Sequence, residues 1–231
     1  MSRRAELAAG LAAVKERIDA ARAAAGRDDA VGLVVVTKFF PASDVRLLVD
    51  LGVREVGENR HQEAEAKAAE CADLDLVWHY IGALQSNKAA AVARYAGVVE
   101  SLDRPKLVRG LDRGAAERGS PLDVLVQVSL DPPGAEHRAG AAPDDVPALA
   151  AAVEAAEHLR LRGLMAVAPL GEDPAAAFDR LARVRERLLA DHPHADRLSA
   201  GMSGDLEQAV AAGATHVRVG SAILGSRHAV R

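Results

Sequence analysis

One cysteine, three phenylalanines, two tyrosines and one tryptophan are all the thiol and aromatic side chains in these 231 residues. The lone Cys71 excludes an internal disulfide and any multi-cysteine metal site, which fits an intracellular, cytoplasmic chain. With aromatics at 3%, a core must be built from Leu, Val, Ile and Ala. Net charge is only −4, so nothing in the overall balance draws the chain to nucleic acid or to an anionic membrane. No apolar run approaches the roughly 18 residues of a membrane span. Charges interrupt the N-terminus throughout, unlike a secretory signal. A chain of 231 residues, 49% of them hydrophobic, suits one α/β barrel or one to two smaller domains.

Periodicity orders the elements. Leu7, Leu11, Val14, Ile18 and Ala21 recur at steps of four and three, which predicts an amphipathic helix over 1–26, closed by Gly26. From residue 31 the chain alternates. Val31–Val36 is a β-branched run typical of a strand buried on both faces, and a helix is expected over Pro41–Leu51. Further strands are expected at Glu55–Gly57, Val77–Ile81, Gly97–Ser101, Asp123–Val128, Leu161–Met165, Leu198–Ser199 and His216–Val219. Helices are expected over 60–69, 87–94, 105–118, 143–157, 174–190 and 204–212. About eight strand–helix units predict an α/β chain with a single (β/α)8 TIM-barrel-like domain over 31–231 and an extra N-terminal helix. A doubly wound open sheet is the alternative, but it calls for a glycine-rich turn after the first strand, and Thr37–Pro41 contains no glycine. The irregular stretch Leu130–Asp144 reads as a loop over the barrel mouth.

In such barrels the strand C-termini face the active site. Lys38 stands at the end of the first strand, where partial desolvation favours the neutral, nucleophilic amine that forms a Schiff base. Taken alone, a lysine there is more often a solvated loop charge. Gly57-Glu58-Asn59 reads as a compact polar turn at the same face, and Gln85–Lys88 adds polar groups after the third strand. The glycines of Ser199–Asp205 permit close backbone approach, and free N–H groups at the following helix start favour an anion. Val217–Ser221 ends in a Gly-Ser turn. Phosphate sites in TIM barrels are commonly built after strands seven and eight, although Ser203 alone would more often be a helix N-cap. A lysine at strand one and phosphate loops at strands seven and eight point to an aldehyde cofactor carrying a phosphate, pyridoxal 5′-phosphate (PLP).

Several motifs in order over nearly the whole chain make it resemble the PLP homeostasis protein family (YggS/PROSC-like), whose fold is like the N-terminal barrel of alanine racemase. The motifs are Val36-Thr37-Lys38, Gly57-Glu58-Asn59, Trp78–Gly82 with Leu84–Lys88, Gly163-Leu164-Met165, Gly201-Met202-Ser203 with Asp205, and Val217–Ser221. The resemblance implies that Lys38 carries PLP as a Schiff base and that Ser203, Gly220 and Ser221 hold its phosphate. It likewise implies that Arg218 lies near the pyridine nitrogen, and that Asn59 and Met202 line the pocket. Departures are small. Ala200 stands where many relatives carry Met, Ser221 where Thr is common, and Arg138 where Lys is frequent.

The resemblance further implies a monomeric, non-enzymatic carrier that keeps intracellular PLP in balance, with PLP-dependent apoenzymes as acceptors. The alternative is a PLP-dependent amino-acid racemase, but racemases of this fold take a second base from another domain, and the chain is expected to lack one because it ends at Arg231. A barrel isomerase binding a phosphorylated substrate without PLP is a third reading, with no reason to require Lys38. Metal ligation by His192 and His194 has no supporting carboxylate or cysteine spacing, so no metal is expected. His79 reads as structural and Trp78 as core, Arg183–Arg187 as a solvated helix face, and Cys71 lies in a charged, exposed-looking stretch without an assigned role.

Overall fold

Strands buried on both faces need a covering layer on each side, and here the sheet supplies one side itself by closing into a barrel. The computed structural model describes residues 2–131 and 139–225. Helix α1 (Arg3–Ala24) precedes strand β1 (Gly32–Val36). The alternation continues through α2 (Ala42–Asp50), β2 (Glu55–Glu58), α3 (His61–Glu70), β3 (Val77–Tyr80), α4 (Ala89–Tyr95) and β4 (Val98–Leu102). It proceeds through α5 (Val108–Arg118), β5 (Leu122–Gln127), α6 (Val146–Glu154), β6 (Leu159–Met165) and α7 (Pro174–Asp191). It ends with β7 (Arg197–Ser199), α8 (Leu206–Ala211), β8 (His216–Val219) and α9 (Ser221–Leu224). The strands pair in chain order, all parallel, and β8 returns to β1 with Val34 opposite Arg218. The closed barrel rules out the doubly wound alternative.

The expected stripe of α1 is the buried one: Leu7, Leu11, Val14, Ile18 and Ala21. It packs in a cluster with Leu206, Val210, Val217, Ile223 and Leu224, over the β8–β1 side of the barrel. Each large side chain so buried contributes about 1.5–3 kcal/mol. A Cβ on Gly10 would lie 2.8 Å from the Ile223 carbonyl oxygen, so α1 and α9 meet almost backbone to backbone. Arg3 fastens the same corner, donating to Asp44 at 2.7 Å and to the Leu224 carbonyl at 3.1 Å.

Three helices expected to be continuous begin with a tighter 3₁₀ turn, at Ser86–Lys88, Pro105–Leu107 and Pro143–Asp145. Two of these start on proline, whose fixed φ and missing N–H suit a helix entry. Glu58 belongs to β2, so the polar turn expected at 57–59 begins only at Asn59. The Cys71 expectation is corrected: despite its charged neighbours, Cys71 is buried in the cluster with Val45 and Leu48, and burial pushes its thiol pKa up. In the loop after β5, Ser129 donates to the Ala141 carbonyl at 2.8 Å. The expected Arg138 position lies outside the described residues, as does the middle of the loop expected over the barrel mouth.

Candidate functional site

Two loops and two strand ends meet at the C-terminal face of the barrel around a cavity of about 540 Å³. That volume lies in the roughly 300–1,000 Å³ range of small-molecule sites. Lys38, Met202, Ser203, Arg218, Gly220 and Ser221 all line it, so six of the seven residues singled out in the sequence come together. Asn59 stands at the end of β2 outside that wall, with its Oδ1 buried and lacking a hydrogen-bond partner among the described residues. Val36, Phe40 and Ile81 supply an apolar wall.

The serine loops are built for close approach. Ser221 Oγ donates to Ser203 Oγ at 3.2 Å. A Cβ on Gly204, next to Ser203, would meet nothing within 4 Å, so the loop is open there. Ser203 is not an N-cap: α8 begins at Leu206, behind Asp205. The buried Asp205 braces the loop instead, accepting from the Met202 N–H at 2.6 Å and donating its own N–H to the Met202 carbonyl at 3.3 Å. Because α9 starts at Ser221, its first N–H groups have no acceptor within the helix.

Beneath the cavity the barrel interior is charged. Arg218 is 3% exposed, and its guanidinium donates to Ser199 Oγ at 2.7 Å and to the Ala166 carbonyl at 2.8 Å. Ser199 donates to Glu100 Oε2 at 2.6 Å, and His79 Nδ1 donates to Glu100 Oε1 at 2.7 Å. In sheet order β4 and β7 are not neighbours, so the Glu100–Ser199 bond crosses the barrel interior. Burial works to raise the Glu100 carboxyl, but the hydrogen bond and charge of His79, the Arg218 charge and the Ser199 hydroxyl outweigh it and hold the pKa at about 2. Burial lowers the Arg218 pKa, and Glu100, 3.7 Å away, opposes that shift. Arg218 is therefore no surface salt bridge, and His79 is buried against Glu100.

A second network lies beside Lys38. Lys67 Nζ donates to Glu58 Oε1 at 2.5 Å, to the Thr37 carbonyl at 2.9 Å and to Glu63 Oε1 at 3.2 Å. Thr37 Oγ1 donates to Glu58 Oε1 at 2.6 Å. Burial raises the Glu58 pKa, and the Lys67 charge and the hydrogen bonds counter it. Sequence reasoning missed Glu100, Glu63 and Lys67, and named Glu58 and Ser199 only as parts of motifs, without these partners. The usable signal was a charged or hydroxyl residue inside an otherwise apolar parallel strand, as at Glu100. His192 and His194 stack edge-on at 6.2 Å between ring centres, and among the described residues no cluster of three or more metal-ligating side chains occurs.

Known proteins resemble this chain over nearly its whole length. The alanine racemase N-terminal domain family matches residues 10–228. A pyridoxal phosphate homeostasis protein of Mycobacterium tuberculosis is 46% identical over 243 residues, covering 97% of this chain and 94% of the relative. One from Escherichia coli is 37% identical, covering 96% of this chain and 97% of the relative. Among solved structures, PipY of Synechococcus elongatus with PLP bound has 36% identity and a TM-score of 0.82, covering 95% of this chain and 100% of that one.

Proposed function

We propose, from the premise that this chain belongs to the pyridoxal phosphate homeostasis protein family, that it binds PLP in the cavity at the barrel mouth and serves PLP homeostasis without turnover. The observation that carries the reading is one cavity lined by Lys38, the Ser203–Ser221 hydroxyl pair and buried Arg218. The donor set fits the group: an amine for an aldehyde, hydroxyls and free helix-start N–H groups for a phosphate, and a guanidinium for a ring nitrogen.

Bound there, PLP supplies an aldehyde that condenses with amines. Lys38 would hold it through Nζ, and Ser203, Gly220 and Ser221 would receive the phosphate, with the Asp205 brace keeping the Ser203 loop in place. Met202 completes the pocket, while Asn59 stands outside its wall with its Oδ1 buried and orphaned, which supports a polar role for it. Arg218 would be the residue set at the ring nitrogen. A guanidinium donates and never accepts, so a nitrogen opposite it stays unprotonated and draws electrons weakly. Ser199, the Ala166 carbonyl and Glu100 hold Arg218 in one orientation, which makes that restraint permanent.

This supports a carrier over a racemase. In the same reading residues 31–231 form one barrel with residues 1–26 appended, and the chain acts as a cytoplasmic monomer with PLP-dependent apoenzymes as acceptors. No helix among the described residues is long and apolar enough to cross a membrane. An absorbance spectrum of the protein as isolated tests the reading. A visible band of lysine-bound PLP, restored by adding PLP after stripping, is expected. A chain that stays colourless with excess PLP would refute it.

A further inference from the structure

Lys38 sits between two backbone groups that both reach α3. The Thr37 carbonyl before it accepts from Lys67 Nζ at 2.9 Å, and the Phe39 N–H after it donates to Glu63 Oε1 at 2.5 Å. Phe39 has φ 70°, the one non-glycine in the left-handed region among the described residues. Such a conformation is strained for a residue with a Cβ and persists only where its surroundings hold it. Glu63 and Lys67 lie four residues apart on one face of α3 and pair with each other at 3.2 Å. The three N–H groups of Lys67 meet three acceptors: Glu58, the Thr37 carbonyl and Glu63. The Arg60 guanidinium covers the Phe39 ring from the same β2–α3 segment, 5.1 Å from its centre.

We infer that Glu63 and Lys67 are positioning residues: they clamp the Thr37–Phe39 turn in the strained form that presents the Lys38 amine to the PLP aldehyde, an inference that rests on the PLP reading. An ion pair that is buried on one side and partly exposed on the other, as here, is a weak means of stabilising a fold. An ion pair bonded to the backbone on both sides of a reactive amine, next to a left-handed phenylalanine, serves geometry instead. In the capture step the neutral Nζ bonds to the aldehyde carbon. The carbon–nitrogen double bond forms as the oxygen leaves as water, carrying both amine protons. Without the clamp Phe39 relaxes toward ordinary φ, and the amine must be reordered before each capture.

The test is the rate at which the full chain, stripped of cofactor, captures PLP at saturating concentration, followed by stopped-flow absorbance. Glu63→Ala is expected to slow capture about tenfold, the kinetic equivalent of about 1.4 kcal/mol. Glycine adopts the left-handed region freely, so in the Phe39→Gly background Glu63→Ala should slow capture less than about threefold. Glu63→Gln keeps an acceptor for the Phe39 N–H and should stay within about threefold of the parent, covering the case in which Glu63→Ala does not fold. Lys67→Arg should retain more of the rate than Lys67→Met. Equal slowing by Glu63→Ala in both backgrounds, no slowing in either, or a loss in Glu63→Gln as large as in Glu63→Ala overturns the clamp. A Lys38→Ala chain that captures PLP at the parent rate defeats the PLP reading itself, whatever Glu63 does.

Discussion

Replacing Glu100 by Gln keeps the shape of the barrel interior and removes one charge from its centre. The carboxylate is 1% exposed, accepts from His79 and Ser199, and lies 3.7 Å from Arg218. Its pKa is held at about 2 against an ordinary value of 4.5. At about 1.4 kcal/mol per pH unit, that depression contributes about 3 kcal/mol to the folded state. A carboxyl depressed on folding stabilises fully only above its unfolded pKa. The contribution is therefore intact above about pH 4.5 and disappears as pH falls from there through about 2. Glu100→Gln also strands the Arg218 charge, which independently puts the loss at about 3–5 kcal/mol. For a chain of this size, about 3 kcal/mol corresponds to a Tm lowered by about 6–12 °C. Thermal or urea unfolding of both proteins from pH 7 to pH 3 reads this out. The variant should be about 3 kcal/mol less stable at pH 7, and the gap should narrow below about pH 4.5. Equal stability at pH 7, or a gap unchanged down to pH 3, would refute the charged interior described for the barrel.

Ser221→Asp sets a carboxylate against the phosphate site and should weaken PLP affinity by at least about tenfold in a titration of stripped protein; unchanged affinity would place the phosphate elsewhere. Gly10→Ala gains up to about 1 kcal/mol of helix propensity but forces a methyl against the Ile223 carbonyl. It should cost about 1–2 kcal/mol net by urea midpoint and loosen PLP retention through α9; a stabilised variant would contradict the α1–α9 contact. Incubation with L-alanine in deuterated water should give no Lys38-dependent α-hydrogen exchange, whereas turnover of about one per second or faster would restore the racemase alternative.

Much of the barrel was legible because its elements follow simple periods. The α1 stripe and the strands at 31–36 and 216–219 lie within about a residue of where periodicity puts them. Strand ends then carry Lys38, Ser203, Arg218, Gly220 and Ser221 to one mouth. The four-residue α9 was not legible, because one turn of helix has no period to detect. Nor were the side chains that hold the Thr37–Phe39 turn and Arg218. Lys67 reaches the Thr37 carbonyl 30 residues away, and Glu100 meets Ser199 across 99 residues. Such pairs exist only once the barrel closes. Cys71 misled for a related reason: its neighbours Glu70 and Asp73 are exposed, while its own side chain turns inward at the end of α3.

Borohydride reduction followed by peptide mapping shows which side chain carries PLP. Reduction fixes the cofactor to its lysine and should yield one modified peptide, the one containing Lys38, lost in Lys38→Ala. The same adduct persisting in Lys38→Ala, or found on another lysine of the parent protein, would contradict attachment at Lys38.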